Sequence, residues 1–290
     1  MLISKAGKKE TAIALLFLAP SLTGFSVFFL IPFITGIAYS MVDSPIGGKF
    51  VGLANYFDLL TNPVFLKAGY NTLAFTAICV PLNILLSLGL AVLLNKELYG
   101  RNVLRTSFIT PLVVPVASVV LVWQVIFDLR GSMNAFVISM GCNGIDWMKT
   151  GWARMVVVIV YLWKNIGYNM VLILAGLQNV PKEYYESADI DGASQMRKFL
   201  NITLVYLTPT LFFVFIISII NSFKVFRETY LISGAYPHNS IYMLQHYMNN
   251  MFASLDYQKL TSAAFIMAAV ICTLVSILFF FERRISKAIS

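Results

Sequence analysis

The chain has 290 residues, 59% of them hydrophobic and only 12% charged, with a net charge of +8 and a mean hydropathy of +0.79. A soluble domain carries about 25% charged residues, so this composition excludes an ordinary water-soluble fold and describes a polytopic membrane protein. The positive balance reads as Lys and Arg held in inner loops, where they set topology, and not as a nucleic-acid-binding surface.

In chain order, Lys5, Lys8 and Lys9 precede an apolar run that starts at Ala12. The run continues past Pro20 to about Tyr39 without a small-residue cleavage site, so it is expected as a retained first span and not as a removed signal. Crossing a bilayer takes roughly 20 apolar residues. Six stretches qualify, at about 12–40, 72–94, 107–127, 155–177, 204–223 and 263–281. The first is long enough to tilt or kink, and Pro20 and Pro32 give it cause. Six spans place both termini on one side of the membrane. Lys and Arg are more than twice as dense in the segments on that side as in the three longer opposite loops, so the termini and residues 178–203 are expected in the cytoplasm. The expected fold is all-α, a single domain over 1–290 with six transmembrane helices and a cytoplasmic helix–turn–helix loop. No repeat between the halves is visible, of the kind many secondary transporters show.

Polar residues within spans invite a functional reading because lipid makes them costly. They are Asn83, Gln124, Lys164, Asn165, Asn169 and Asn221. Tyr161, Lys164, Asn165, Tyr168 and Asn169 recur at helical spacing and share one face of the fourth span. Aromatic rings beside amide groups suit a sugar, whose C–H faces stack and whose hydroxyls need partners. The same groups also suit bonds to neighbouring helices, and both uses stay open. No acid is apparent at the depth of Lys164, which leaves an acid in a partner subunit as its expected counter-ion. In the last outer loop Met243, Tyr247 and Met251 recur at helical spacing, as a surface or re-entrant helix or as plain packing.

The loop between the fourth and fifth spans holds YYESADIDGASQMRKFLNI, Tyr184 to Ile202. Pro181 suits the first turn of a helix. Glu183 and Glu186 lie near its positive end, and Gly192 suits a left-handed C-terminal position. Ser194 can cap a second helix leading into the fifth span. Ala188, Gly192 and Ala193 are small enough for another backbone to approach, and Tyr184 and Tyr185 offer apolar anchors. The loop reads as a rigid knob.

Other chemistry is not indicated. Cys79, Cys142 and Cys272 form neither a CxxC nor a Cys/His cluster, and His238 and His246 read as loop residues, so no disulfide framework or metal site is expected. The nearest approach to a phosphate-binding loop, from Gly144 to Thr150, lacks the glycine before Lys149. No catalytic constellation is visible, so no enzyme is expected. Asn201-Ile202-Thr203 matches a glycosylation acceptor but falls on the cytoplasmic side.

Glu186-Ser187-Ala188, Asp191-Gly192-Ala193, Phe199, Ile202-Thr203-Leu204 and Pro209 resemble the EAA loop of binding-protein-dependent ABC importer permeases. Ala175 to Pro181, Trp163 to Asn169, Phe223 to Glu228 and Gly234 to Pro237 resemble flanking segments of the six-span sugar permeases of the MalF and UgpA type. The resemblance covers most of the chain. Ser187 stands in place of the first paired alanine, and Val205 stands where the family often has proline, which predicts a straighter lead into the fifth span.

The resemblance implies a bacterial inner-membrane permease that moves a sugar or oligosaccharide by alternating access. Glycerol-3-phosphate and amino-sugar importers use similar permeases; an ion-coupled transporter or channel is the alternative from another class. Tyr185, Glu186, Ser187, Ala188, Asp191, Gly192 and Ala193 would form the coupling helix that docks on a cytoplasmic ATPase. The implied partners are a second six-span permease, two ABC ATPases that bind the ATP and Mg, and an extracytoplasmic solute-binding protein. A bulky residue at Gly192 is expected to uncouple ATP hydrolysis from transport.

Overall fold

The computed structural model describes residues 5–289, although the side chains of the flanking cations Lys5, Lys8, Lys9 and Lys287 lie outside the described part. The described residues are almost entirely helical, the exception to helix and turn being a lone antiparallel bridge between Val42 and Phe50. The chain divides into two compact units, residues 1–62 with 251–266 and residues 63–250 with 267–290.

In the first unit, α1 (Lys5–Phe25) runs through a π turn at Ser26–Leu30 into α2 (Ile31–Ser40). Pro32 cannot donate to the Phe28 carbonyl and its ring crowds it. The wider turn just before it, in which the Ile31 N–H reaches the Ser26 carbonyl, takes up that misfit and leaves the helix continuous. Most of this helix is apolar and exposed, as at Phe17, Phe28 and Phe29, a surface suited to lipid. Its end is fixed by polar bonds. Asn55 on α3 (Ala54–Thr61) donates to the carbonyls of Ser40 and Val42 at 3.0 and 2.9 Å, and the Tyr56 hydroxyl donates to Ser40 Oγ. The opening turns of α14 (Tyr257–Ile289) place Phe265 edge-on to Phe33 and let Ser262 donate to the Ser40 carbonyl.

The second unit is built on α4 (Pro63–Asn95), α8 (Ala153–Gln178) and α11 (Leu204–Phe223). Ala91 and Leu94 of α4, Met170, Ile173, Leu174 and Leu177 of α8, and Leu207 and Val214 of α11 form one buried cluster. Glycines set the spacing: a Cβ at Gly167 would lie 1.8 Å from the Phe108 carbonyl oxygen, so α8 meets the backbone of α5 (Arg101–Val113) directly. The expected third span is broken. Between α5 and α6 (Val116–Ile126) the axis turns by 100°, because Pro115 drives Val114 into an extended conformation. Five helices are long and apolar enough to cross a bilayer, and the bent α5–α6 pair makes a sixth if it is one span.

Beyond α6, Asn134 on α7 (Ser132–Ser139) organises its surroundings, donating to the carbonyls of Asp128, Leu129 and Ile145 and accepting from Ile145 N–H and Trp147 Nε1. After α8 come α9 (Lys182–Ile190) and α10 (Gln195–Lys198), which continues through a π turn at Phe199–Thr203 into α11. Helix α12 (Phe226–Ser233) follows α11 after a two-residue break, and α13 (Leu244–Ala253) comes next. Arg154 ties the segment before α13 to α4 and α8: it donates to the Ser240 carbonyl and to Asn71 Oδ1, while Asn71 donates to the carbonyls of Asn239 and Tyr242.

Candidate functional site

The expected face of α8 is real but serves two different surroundings. Asn169 and Asn83 are buried, and Asn169 Nδ2 donates to Ser218 Oγ at 2.8 Å and to Asn83 Oδ1 at 3.3 Å. Ser87 completes the set, donating to Asn83 Oδ1 and to the Ile166 carbonyl. The four groups join α4, α8 and α11, as intramembrane amides commonly do. Gln124 on α6 likewise donates to the carbonyls of Leu231 and Ile232 on α12. Tyr168 is half-buried and stands outside the cavity described next.

One turn toward the N-terminus of α8 the face opens. Tyr161, Lys164 and Asn165 of α8, Asn221 near the end of α11, Lys224, and Val225, Arg227 and Glu228 line a cavity of about 230 Å³ with Leu112 of α5. The Tyr161 hydroxyl donates to the Ser218 carbonyl, which holds the ring against Phe75. Asn165 donates to the Tyr161 carbonyl of its own helix at 2.8 Å.

Lys164 pairs within the chain, with the carboxylate of Glu228. This corrects the expectation of an acid in a partner subunit. Glu228 looked like part of an outer loop, but α12 folds back against α6 and α8 and buries it to 7% exposure beside the lysine.

The second expected site, residues 178–203, is a helix–turn–helix of defined geometry. Pro181 is the N-cap of α9, one residue ahead of the first turn. Gly192 has φ +68°, Ala193 N–H donates to the Ala188 carbonyl and Gly192 N–H to that of Asp189, the bond pair of a Schellman motif. Ser194 Oγ accepts from Arg197 N–H and caps α10. Buried Lys198 reaches back to Asp189 at 2.5 Å, and Tyr185 and Thr203 join through their hydroxyls at 2.8 Å. The knob is thus tied internally and to the root of α11, while Tyr184, Glu186, Ser187, Ile190, Asp191 and Met196 stay exposed. Ala188 and Ala193 are half-buried, and the space beside Gly192 is open. At Val205 the chain is already in α11, which α10 enters through the π turn at Phe199–Thr203.

Met243 and Tyr247 turn inward, Tyr247 edge-on to Phe65. His246, expected in a loop, lies buried on α13. Its Nδ1 accepts from Met243 N–H, its Nε2 has no hydrogen-bond partner, and burial lowers its pKa to about 4. No group of three potential metal ligands occurs among the described residues.

Helices long enough to span a membrane, a buried ion pair between two of them and a capped helix–turn–helix between two of the spans define a polytopic membrane protein. Residues 83–290 match the family described as binding-protein-dependent transport system inner membrane component, and the chain belongs to that family. It is 39% identical over 222 residues to the arabinooligosaccharides transport system permease protein AraP of Bacillus subtilis, covering 75% of this chain and 71% of that one. It is 32% identical to the trehalose/maltose permease protein MalF of Thermococcus litoralis, over 81% of this chain and 82% of that one. With the sn-glycerol-3-phosphate permease protein UgpA of Yersinia enterocolitica it shares 30% identity over 97% of this chain and 98% of that one. In fold it matches a chain of a bacterial alginate ABC transporter crystallised with an alginate-bound periplasmic protein, with a TM-score of 0.84, 20% identity and 99% of both chains covered. The chain is therefore a membrane permease component of an ABC importer and is not itself an enzyme.

Proposed function

We propose that this chain forms one side of a saccharide pathway in a bacterial plasma membrane, beside a second six-span permease. In this reading two cytoplasmic ATPases bind ATP and Mg, and an extracytoplasmic protein delivers the sugar. Tyr161, Lys164, Asn165 and Asn221 face the solute, whereas Asn83, Asn169 and Gln124 hold helices together. Two of the relatives named above carry saccharides in their names, which supports the solute class, while the third carries sn-glycerol-3-phosphate. Both termini and residues 178–203 lie in the cytoplasm, on the side richer in Lys and Arg.

The observation that carries the coupling role is the rigidity of the 178–203 knob together with its exposed face. A tether needs neither a Schellman turn nor a buried Lys198 reaching an exposed Asp189; a lever that transmits ATPase movement to α8 and α11 as rigid bodies is served by both. Gly192 separates fold from docking. A side chain there meets no atom within 4 Å, but the left-handed φ disfavours most residues. Asn tolerates that conformation while Val does not. In the reconstituted complex, Gly192→Asn is expected to keep ATP-driven sugar uptake above half of normal, as a rough figure. Gly192→Val is expected to keep membrane insertion and ATP hydrolysis while uptake falls about tenfold or more. Full uptake by the valine variant sinks the coupling reading; uptake that persists without ATP and follows an ion gradient sinks the proposed function.

A further inference from the structure

The cavity beside α8 contains more positive charge than its ion pair uses. Lys164, Lys224 and Arg227 line it against a single carboxylate, Glu228, and that carboxylate is bound to Lys164. Lys224 and Arg227 are exposed and form no ion pair among the described residues. Lys224 lies in the break after α11 and Arg227 in the first turn of α12, and both bring their charge to the wall of this cavity.

The surrounding groups are hydrogen-bonding ones. Asn221 and Asn165 supply amides and Tyr161 a ring wall, and the volume of about 230 Å³ has room for a single sugar ring. Amides and an aromatic wall suffice for a neutral sugar; two free cations add nothing that hydroxyls require. The Arg227 guanidinium instead matches a carboxylate or phosphate, and the Lys224 ammonium supplies a point charge beside it.

We propose that the solute carried through this cavity is an acidic saccharide, a sugar bearing a carboxylate, phosphate or sulfonate group that Lys224 and Arg227 neutralise. The proposal rests on the saccharide-pathway reading and names its substrate class. Glu228 keeps Lys164 occupied and so leaves the recognition of the anionic group to the other two cations.

The test is calorimetric titration of the purified complete transporter with galacturonate and with galactose, which differ at one carbon. Galacturonate is expected to bind about tenfold tighter than galactose, a difference of about 1.4 kcal/mol. The preference should shrink as salt rises. In a Lys224→Gln/Arg227→Gln variant that still hydrolyses ATP, the two affinities should come within about twofold, while Lys224→Arg/Arg227→Lys should retain the preference. Equal affinities in the unaltered transporter, or an undiminished preference in the glutamine variant, overturn this inference and leave the saccharide pathway standing. A preference abolished by added phosphatidylglycerol assigns the cations to lipid headgroups and also overturns it. No binding of either sugar overturns both readings.

Discussion

At the scale of single residues, the Lys164–Glu228 pair is the sharpest feature of the site. Both groups sit among apolar helices, so each depends on the other to offset its desolvation. Lys164→Met strands a buried carboxylate and is expected to destabilise the detergent-purified protein by about 3 kcal/mol. Glu228→Gln should cost less, because Lys164 is the more exposed partner and can turn toward solvent. The double variant Lys164→Met/Glu228→Met should recover at least half of the loss, since it removes both charges together. Thermal unfolding of the three variants measures this; additive losses would mean that the pair contributes no coupling. The lysine was legible in the sequence because it interrupts an apolar run. Its partner was not, because Glu228 follows Lys224 and Arg227 and reads as the start of a solvated loop. Only the packing of α12 against α8 and α6 places that carboxylate at the depth of the lysine, and hydropathy carries no information about depth gained by folding back. The same blindness applies to Asn134 and Arg154, polar residues in outer segments whose bonds to distant carbonyls organise what looked like plain loop.

At the scale of elements, runs of apolar residues marked where the long helices lie, and Pro181, Gly192 and Ser194 marked the ends of α9 and α10 through local capping chemistry. What could not be read was how the helices bend and touch. The 100° turn at Val114-Pro115 lies inside a mostly apolar run, where hydropathy counts Pro115 as one more span residue and gives no bend. Helix contacts of α8 were equally hidden, since a glycine in an apolar stretch does not say what faces it. Gly167 and Gly176 differ in a way that can be measured. A Cβ at Gly167 would overlap the Phe108 backbone carbonyl, which cannot move unless α5 shifts as a whole. At Gly176 the nearest atoms are Thr210 Oγ1 at 2.7 Å and Leu207 Cδ2 at 2.9 Å, both on side chains that can rotate. Gly167→Ala is therefore expected to cost about 3 kcal/mol, the upper part of the overpacking range. Gly176→Ala should stay within about 1 kcal/mol of the parent, because the helix propensity gained by alanine offsets part of the crowding. Unfolding temperatures in detergent compare the two directly. Equal losses would mean that the α5–α8 approach is no tighter than the α8–α11 approach.

At the scale of the whole molecule, every functional statement depends on which side of the membrane each segment faces. Charge distribution supplies that orientation from the sequence, whereas the grouping of residues 1–62 with 251–266 in one compact unit was invisible, because apolar periodicity reports a helix's length and not its neighbours. The proposed orientation puts the segment between α7 and α8 outside and the 178–203 knob inside. Native cysteines make this testable with little alteration. Cys142 is exposed between α7 and α8, Cys79 is buried, and Cys272 lies on an apolar stretch of α14 where a charged reagent in water has no access. A membrane-impermeant maleimide is expected to modify Cys142 in intact cells. Ile190 is 88% exposed at the end of α9, so an Ile190→Cys variant in a Cys142→Ser background should react only after permeabilisation. The reverse pattern, with Cys142 protected and the substituted position labelled from outside, would invert the topology. It would also remove the knob from the compartment that holds ATP, so the coupling role would fall with the orientation. Labelling in the expected order leaves the knob on the side where an ATPase can engage Tyr184, Glu186 and Ile190, and the Gly192 variants then report on that engagement.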